Sequence, residues 1–433
     1  MIDEPAEDGV EPPEGVYTQA LEVGRTAELL SPTAPSPEPA ISVDRIVTLN
    51  QMALDHFTQM YSRSWAPGYL EERLGTDLSD EPRFAVGYAP PGPTSLIQHL
   101  SAHGTSPDEL IDAGLARRTD RGRLVDAFRD RLVFPIYSGQ QLVGFIGRRN
   151  PTKDNAEYAG PKYLNTRTTA AFTKGEQLFG LAEGDKELAA GARPVLVEGP
   201  LDAIAVTIAS SGSAIGIAPL GTAFTESQAK KVKPYFASDR SRIVIGTDPD
   251  AAGWLSAQRS FWRLAALGAD PQHLTMPDGI DPADLLRTEG PASLANRLAQ
   301  TEYFGTNLLD RMLNDRADSL SDSAARIWLA RDAARVIGAL PPSQWIDQIE
   351  RVNARLALPP GMLHLEVIDA SNAWTENPGR CALHELATLR RRTETAVTTG
   401  TSNPPRLPVP DRQPLPDAIP PTHQRAEPRA VRR

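Results

Sequence analysis

The sequence predicts an α/β protein: a parallel-sheet domain flanked by an α+β N-terminal subdomain and a C-terminal helical subdomain, with disordered tails at both ends. Three observations lead there. Between about residues 193 and 290, short β-branched runs alternate with helical stretches, the pattern of a parallel sheet with right-handed crossovers. Upstream, residues 131–136 and 141–147 bracket a Ser138-Gly139 turn, which is a hairpin signal. Downstream, from about 300 to 375, the chain reads as helices.

The elements follow in chain order. Residues 1–41 form an acidic, proline-rich tail in which Arg25 is the one basic residue. Such a composition cannot bury enough apolar surface to offset its ordering entropy, so disorder is expected. Residues 42–185 form the α+β subdomain: helical spacing at 47–61, short helices at 96–100 and 108–113, the latter introduced by Ser106-Pro107, and then the hairpin. Residues 186–295 form the parallel-sheet domain, with strands expected at 195–197, 214–217, 242–245 and 274–276. Helices are expected between them at 201–210, 225–235 and 251–267. Residues 296–385 are helical; Ser321 or Ser323 caps a segment through Val336, and Ser343 starts another through Leu356. Residues 386–433 are again proline-rich but lean basic, and a second disordered tail is expected there.

Bulk properties narrow the function. The chain has 433 residues, enough for two or three domains. Its single cysteine, Cys381, forbids an internal disulfide and a four-thiolate zinc ribbon, which fits a reducing cytoplasm. A Cys381…His384 spacing lacks a second ligand pair, so no zinc is expected. No signal peptide and no membrane-spanning apolar run are apparent. The net charge of −10 argues against a uniformly basic surface but leaves room for a local basic groove. His99 and His103 stand four apart without the acid of a metalloprotease motif, and there is no P-loop.

The chemistry lies in spaced acids. Glu198-Gly199-Pro200-Leu201-Asp202 follows one apolar run; Gly246-Thr247-Asp248-Pro249-Asp250 follows another. Carboxylates just past the ends of parallel strands converge on one sheet edge, where open α/β folds place their sites. Hard oxygen ligands around a shared point suit Mg²⁺ or Mn²⁺ and metal-assisted phosphoryl transfer. Each acid also has a structural role open to it: Asp202 complements the dipole of the next helix, and Asp250 suits an N-cap. Asp281 and Asp284 form a third acidic motif.

The pattern resembles the TOPRIM domain of primases, topoisomerases and some nucleases. More closely, the chain resembles the catalytic core of DnaG-type bacterial DNA primases. The resemblance extends to Phe84-Ala85-Val86-Gly87-Tyr88-Ala89-Pro90 and to the segment from Phe128 to Ile136. It continues through Gly144-Phe145-Ile146-Gly147-Arg148, Pro161-Lys162-Tyr163-Leu164-Asn165 and Phe172-Thr173-Lys174-Gly175, in family order, over about residues 50 to 370.

The resemblance implies an enzyme of nucleotidyl-transferase chemistry. It would be a DNA-directed RNA polymerase of primase type, synthesising short RNA primers from NTPs on a single-stranded DNA template in replication. It implies Glu198, Asp248 and Asp250 as catalytic residues and Glu198, Asp202, Asp248, Asp250 and Asp281 as ligands of Mg²⁺ or Mn²⁺. Arg148, Lys162, Tyr163 and Lys174 would hold nucleotide and template. Asp281-Pro282-Ala283-Asp284 departs from the family's Asp-Pro-Asp version, with Ala283 where a carboxylate is expected, so the number of metals is open. Residues 1–40 contain no cysteine, so the family's N-terminal zinc-binding domain is not expected. That, with a short C-terminus, suggests a plasmid or mobile-element role; a replicative helicase is the partner the family would supply. Two other functions use the same features: a TOPRIM metal-dependent nuclease, and a non-catalytic accessory that binds single-stranded DNA or a helicase.

Overall fold

The computed structural model describes residues 41–399, apart from 155–159, 222, 237, 240 and 241. Packing divides the chain into two units, Met1–Leu383 and His384–Arg433. The first opens with α1 (Val43–Tyr61), whose N-cap Ser42 accepts the Arg45 N–H, and α2 (Ala66–Leu74), closed by Gly75 at a φ of 72°. β1 (Gly87–Ala89), α3 (Ser95–Ala102) and α4 (Pro107–Asp112) follow, the last with a full capping box between Ser106 and Glu109. β2 (Ala116–Arg118) and β3 (Leu124–Asp126) make a two-stranded ribbon. The expected hairpin is β4 (Arg131–Ser138) against β5 (Gln141–Arg149). With β6 (Tyr163–Asn165) these form a four-stranded sheet ordered β1-β4-β5-β6.

The second sheet begins with β7 (Leu178–Phe179), followed by α5 (Asp185–Ala189), β8 (Arg193–Leu196), α6 (Pro200–Ala209) and β9 (Ala214–Pro219). Then come α7 (Glu226–Val232), β10 (Val244–Ile245), α8 (Ala251–Ala265) and β11 (Gln272–His273). After α9 (Pro282–Glu289) and α10 (Pro291–Ala299), β12 (Glu302–Tyr303) closes the sheet, ordered β12-β11-β10-β8-β9-β7. Its four central strands are parallel and the two edge strands antiparallel. The strand expected at 274–276 is instead Gln272–His273. Leu274 still donates to the Ile245 carbonyl, but Pro277 lacks the N–H that a longer ladder needs.

Helices α11 (Phe304–Asn314), α12 (Ser323–Ala339), α13 (Pro342–Leu356) and α14 (Met362–Glu376) follow. Asp322, rather than Ser321 or Ser323, caps α12, because its carboxylate accepts the Ala324 N–H. α13 starts at Pro342, which places Ser343 inside the helix. The last helix, α15 (Pro378–Thr399), continues past residue 386, where composition puts the start of the second tail. Residues 379–399 contain no proline, and Ala, Leu, Glu and Arg make up more than half of them, so the helix runs on despite five threonines. The remainder of both expected tails, 1–40 and 400–433, lies outside the described residues. Among the described residues no helix is long and apolar enough to cross a membrane.

The two sheets share one apolar core in the first unit. Phe179 of β7 stacks on Phe84 at 5.8 Å between ring centroids and meets Phe134 of β4 edge-on at 5.7 Å. On the other side of the hairpin, Phe57 of α1 packs edge-on against Phe145 at 5.5 Å. α6 lies directly on β9 because Gly216 has no side chain; a Cβ there would run into the Ala203 backbone. This close seating fixes the N-terminal end of α6, and with it the acid-bearing turn.

Candidate active site

β8 and β10 are parallel neighbours, with Val195 opposite Val244 and Leu196 opposite Ile245. Their chain extensions therefore leave the sheet side by side, and Glu198 and Asp248 emerge at the same edge. The Asp248 backbone N–H donates to Glu198 Oε1 at 3.0 Å. Asp202 sits in the first turn of α6, behind Gly199 and Pro200. Asp281 caps α9, accepting the Asp284 N–H at 2.6 Å.

These acids line one cleft of about 530 Å³. The first sheet and α2 line the same cleft: Arg148 of β5, Lys162 and Tyr163 at β6, and Tyr69 and Arg73 of α2. The Arg148 guanidinium lies 5.6 Å from the Tyr69 ring and 5.8 Å from the Tyr163 ring, and reaches Asp154 with two nitrogens at 3.1 and 2.7 Å. Its side chain is 4 % exposed, and Nε has no partner. The Lys162 ammonium lies 5.9 Å from the Tyr163 ring.

Burial, and then like charge nearby, raises the proton affinity of Asp202, Glu198 and Asp248. Burial, then Asp281 and Asp248, push Asp202 up to about 8. Its Oδ1 is buried without a hydrogen-bond partner. Burial and the neighbouring Asp248 and Asp250 raise Glu198, although the Asp248 N–H pulls the other way. Burial, Asp281 and Asp250 raise Asp248, and Lys162 partly offsets them. An orphaned carboxylate oxygen amid mutually repelling acids is what a bound cation relieves, so the donor set fits a hard divalent ion. Among the described residues, no three acids or histidines stand close enough to hold an ion alone. That suits an ion held by one or two carboxylates, with water and substrate phosphates filling its remaining positions, as magnesium prefers.

The structure brings Glu198, Asp202, Asp248, Asp281, Asp284, Arg148, Lys162 and Tyr163 into the cleft. Asp250 is not in its wall; its Oδ1 caps α8 by accepting the Gly253 N–H at 2.7 Å, and its charge acts from behind Glu198 and Asp248. Lys174 stands beside the cleft, its ammonium 3.4 Å from the carbonyl of the cleft-lining Gly221. Ala283, at the position of the missing carboxylate, is fully buried and offers nothing to the cleft.

Three residues escape sequence reading. Tyr69 and Arg73 sit in Tyr69-Leu70-Glu71-Glu72-Arg73, which reads as an ordinary solvated helix. Arg73 nevertheless pairs with Asp281 at 3.0 Å and Asp284 at 2.6 Å. Gly253 is the third: a Cβ there would collide with the Asp248 carbonyl and come 2.8 Å from Glu198 Oε1. A glycine three residues after an N-cap aspartate is the one available signal, and it is a faint one.

Comparison with known proteins agrees. Residues 56–185 match the family described as DNA primase catalytic core, N-terminal domain, and residues 195–286 match Toprim-like. The DNA primase of Deinococcus radiodurans is 33% identical over 372 residues, covering 79% of this chain and 60% of that one. The DNA primase of Escherichia coli K12 is 34% identical over 267 residues, covering 60% of this chain and 43% of its own length. This chain thus spans about half the length of such relatives. The RNA polymerase domain of Mycobacterium tuberculosis primase DnaG superposes with a TM-score of 0.61 at 27% identity, covering 72% of this chain and 99% of that one. A DnaG primase catalytic domain bound to ssDNA superposes at 0.60 and 29% identity, covering 72% of this chain and 98% of that one. With a primase-core N-terminal domain and a Toprim domain in succession around one acidic cleft, this chain belongs to the DnaG-type primase catalytic-core family.

Proposed function

We propose that this protein synthesises short RNA primers on single-stranded DNA from NTPs, by nucleotidyl transfer dependent on Mg²⁺ or Mn²⁺. The observation that carries this is the meeting of acids and fixed positive groups in one cleft: Glu198, Asp202 and Asp248 with Arg148 and Lys162. A nucleotide triphosphate needs both, acids to hold its cation and fixed positive groups to meet its oxygens. The match of residues 56–185 to the primase-core N-terminal domain favours polymerisation over phosphodiester cutting.

Each residue then has a task. Asp202 and Asp248 would hold the cation, with Glu198 beside them, and the ion would neutralise charge as the α-phosphate is attacked and pyrophosphate leaves. Arg148 lies beside the Tyr69 and Tyr163 rings and is bonded to Asp154 through both terminal nitrogens, so its rotamer is set before a phosphate arrives. Lys162, at the exposed rim, supplies a mobile point charge. Glu198 is raised in proton affinity with Oε1 fixed by Asp248, which leaves Oε2 to take the attacking hydroxyl's proton. Tyr163 and Tyr69 form the floor under the guanidinium, and Lys174 and Asp250 act from the margin.

The test is incubation of purified protein with single-stranded DNA, labelled NTPs and Mg²⁺ or Mn²⁺. Oligoribonucleotides are expected from the wild type, reduced by about 10²–10³-fold in Glu198→Gln. No product from the wild type, or equal product from Asp248→Ala, overturns the proposal.

A further inference from the structure

Two of the groups around Arg148, the Tyr69 ring and the Asp154 carboxylate, lead back to one residue outside the cleft wall, Asp130. On the first branch, Trp65, the N-cap of α2, meets Tyr69 edge-on at 5.7 Å between ring centroids. Its indole N–H donates to Asp130 Oδ1 at 2.9 Å. On the second branch, Asn150 caps the short turn Pro151–Lys153, which ends at Asp154. The Asn150 amide donates to both Asp130 oxygens at 3.3 Å, and the Lys153 ammonium meets Oδ2 at 2.5 Å. Tyr88 of β1 adds a hydroxyl donor to Oδ1 at 2.8 Å. Four donors fill what one carboxylate accepts. Burial alone would raise the Asp130 carboxyl, but these donors, Lys153 foremost, outweigh it and hold the group below its ordinary value. The backbone is unusual too: Asp130 has a φ of 51°, in the left-handed region that few residues other than glycine enter. Such conformations persist where the surrounding structure over-determines them, and they gather at functional sites.

We propose that Asp130 is a positioning residue for Arg148: its one carboxylate sets both the ring and the acid that hold the guanidinium, so affinity for the triphosphate depends on a side chain that never meets it. The inference rests on the proposed phosphate-binding role of Arg148 and deepens it. Asp130 directly precedes β4, its N–H donates to the Pro90 carbonyl at 3.2 Å, and Leu132 lies opposite Arg148 in the β4–β5 ladder. The sheet that carries the arginine therefore also aims the carboxylate, and the carboxylate places α2 and the 150–154 turn relative to that arginine. All three parts share one frame before a nucleotide arrives, which is what preorganised binding requires. Neutralising Asp130 acts on one branch more than the other. An amide keeps an acceptor for Trp65 and Tyr88 but has no second oxygen for Lys153 and Asn150, so the turn bearing Asp154 loosens.

The experiment is calorimetric titration of the full chain with ATP and Mg²⁺, with thermal melting to check folding. Asp130→Asn suits the left-handed backbone and removes the charge. Its Kd for ATP is expected to rise about tenfold. In an Arg148→Met background the same change is expected to move Kd less than about twofold, because the arginine it positions is gone. Tyr88→Phe takes a donor from the same carboxylate and keeps the ring against Trp65. It is expected to lower the melting temperature and leave Kd within about twofold, which separates positioning from lost packing. If Asp130→Asn does not fold, Trp65→Phe carries the test: it loses the indole N–H, and Kd is expected to rise at least about threefold. An unchanged Kd in folded Asp130→Asn, the same rise with and without Arg148, a tenfold rise in Tyr88→Phe, or an unchanged Kd in the fallback variant overturns the assignment. Primer synthesis by the same wild-type preparation is read separately. ATP binding without synthesis overturns polymerisation and leaves the Kd comparison to decide the role of Asp130; no ATP binding by the wild type overturns both.

Discussion

The backbone N–H of Asp248 donates to Glu198 Oε1 at 3.0 Å, joining the turns that follow two neighbouring strands. The bond fixes one oxygen of the proposed general base before any substrate arrives. Glu198→Gln keeps an acceptor at Oε1 and alters only charge and basicity. We expect its thermal stability to stay within a few degrees of wild type while primer synthesis falls; a large drop in melting temperature would mean that the carboxylate is structural.

Gly253 tests the same relationship from the helix side. A methyl group there meets the Asp248 carbonyl and the Glu198 carboxylate. Gly253→Ala removes a glycine from a helix, which in an open position would stabilise by roughly 0.5–1 kcal/mol. Here the expected outcome is the opposite sign in stability, read by denaturant midpoint, with a loss of activity comparable to Glu198→Gln.

Asp154 holds Arg148 with two bonds, at 3.1 and 2.7 Å. Asp154→Asn leaves the guanidinium in place but free to turn. KM for NTP should rise about tenfold, equivalent to about 1.4 kcal/mol, with kcat changed less. Steady-state kinetics at several NTP concentrations check this; a fall confined to kcat would contradict a binding role.

Phe179 joins the cores of the two sheets through Phe84 and Phe134 and is 1 % exposed. Phe179→Ala should cost about 3–5 kcal/mol. Guanidinium unfolding should show a lower midpoint; an unchanged midpoint would mean that the sheets are held together elsewhere.

Glu183 gives a pH signature away from the cleft. Burial raises its carboxyl to about 7 from the usual 4.5, and the nearby backbone N–H groups of Gly180 and Ala182 only partly oppose this. Neither carboxylate oxygen has a hydrogen-bond partner of normal geometry. Because the folded value lies above the unfolded one, its contribution to stability is fully present below about 4.5 and is lost as pH rises through about 7. Glu183→Gln should therefore gain stability relative to wild type at pH 8 and little at pH 5, measured by chemical unfolding at both values. An equal difference at the two pH values would refute it.

The sheet, the crossover helices and the hairpin were legible because burial imposes period and β-branching on short runs, as in 195–197 and 214–217. Helix starts were less so: Asp322 displaced its serine neighbours because a carboxylate caps as well as a hydroxyl. In the cleft, the acids were legible by their place at strand ends. Arg73 was not, since its partners lie 208 and 211 residues away and nothing local distinguishes it from a solvated arginine. Asp250 was legible as an N-cap, and it accepts the Gly253 N–H.

Arg73 emerges early in synthesis and Asp284 much later, with the first sheet and all but the last strand of the second in between. A growing chain that has completed the first sheet still carries an arginine on α2 with no acid to meet. The cleft wall closes only when α9 arrives, so cleft formation follows the four parallel strands of the Toprim sheet. Incomplete chains would present a basic face that grips nucleic acid without the acids to act on it.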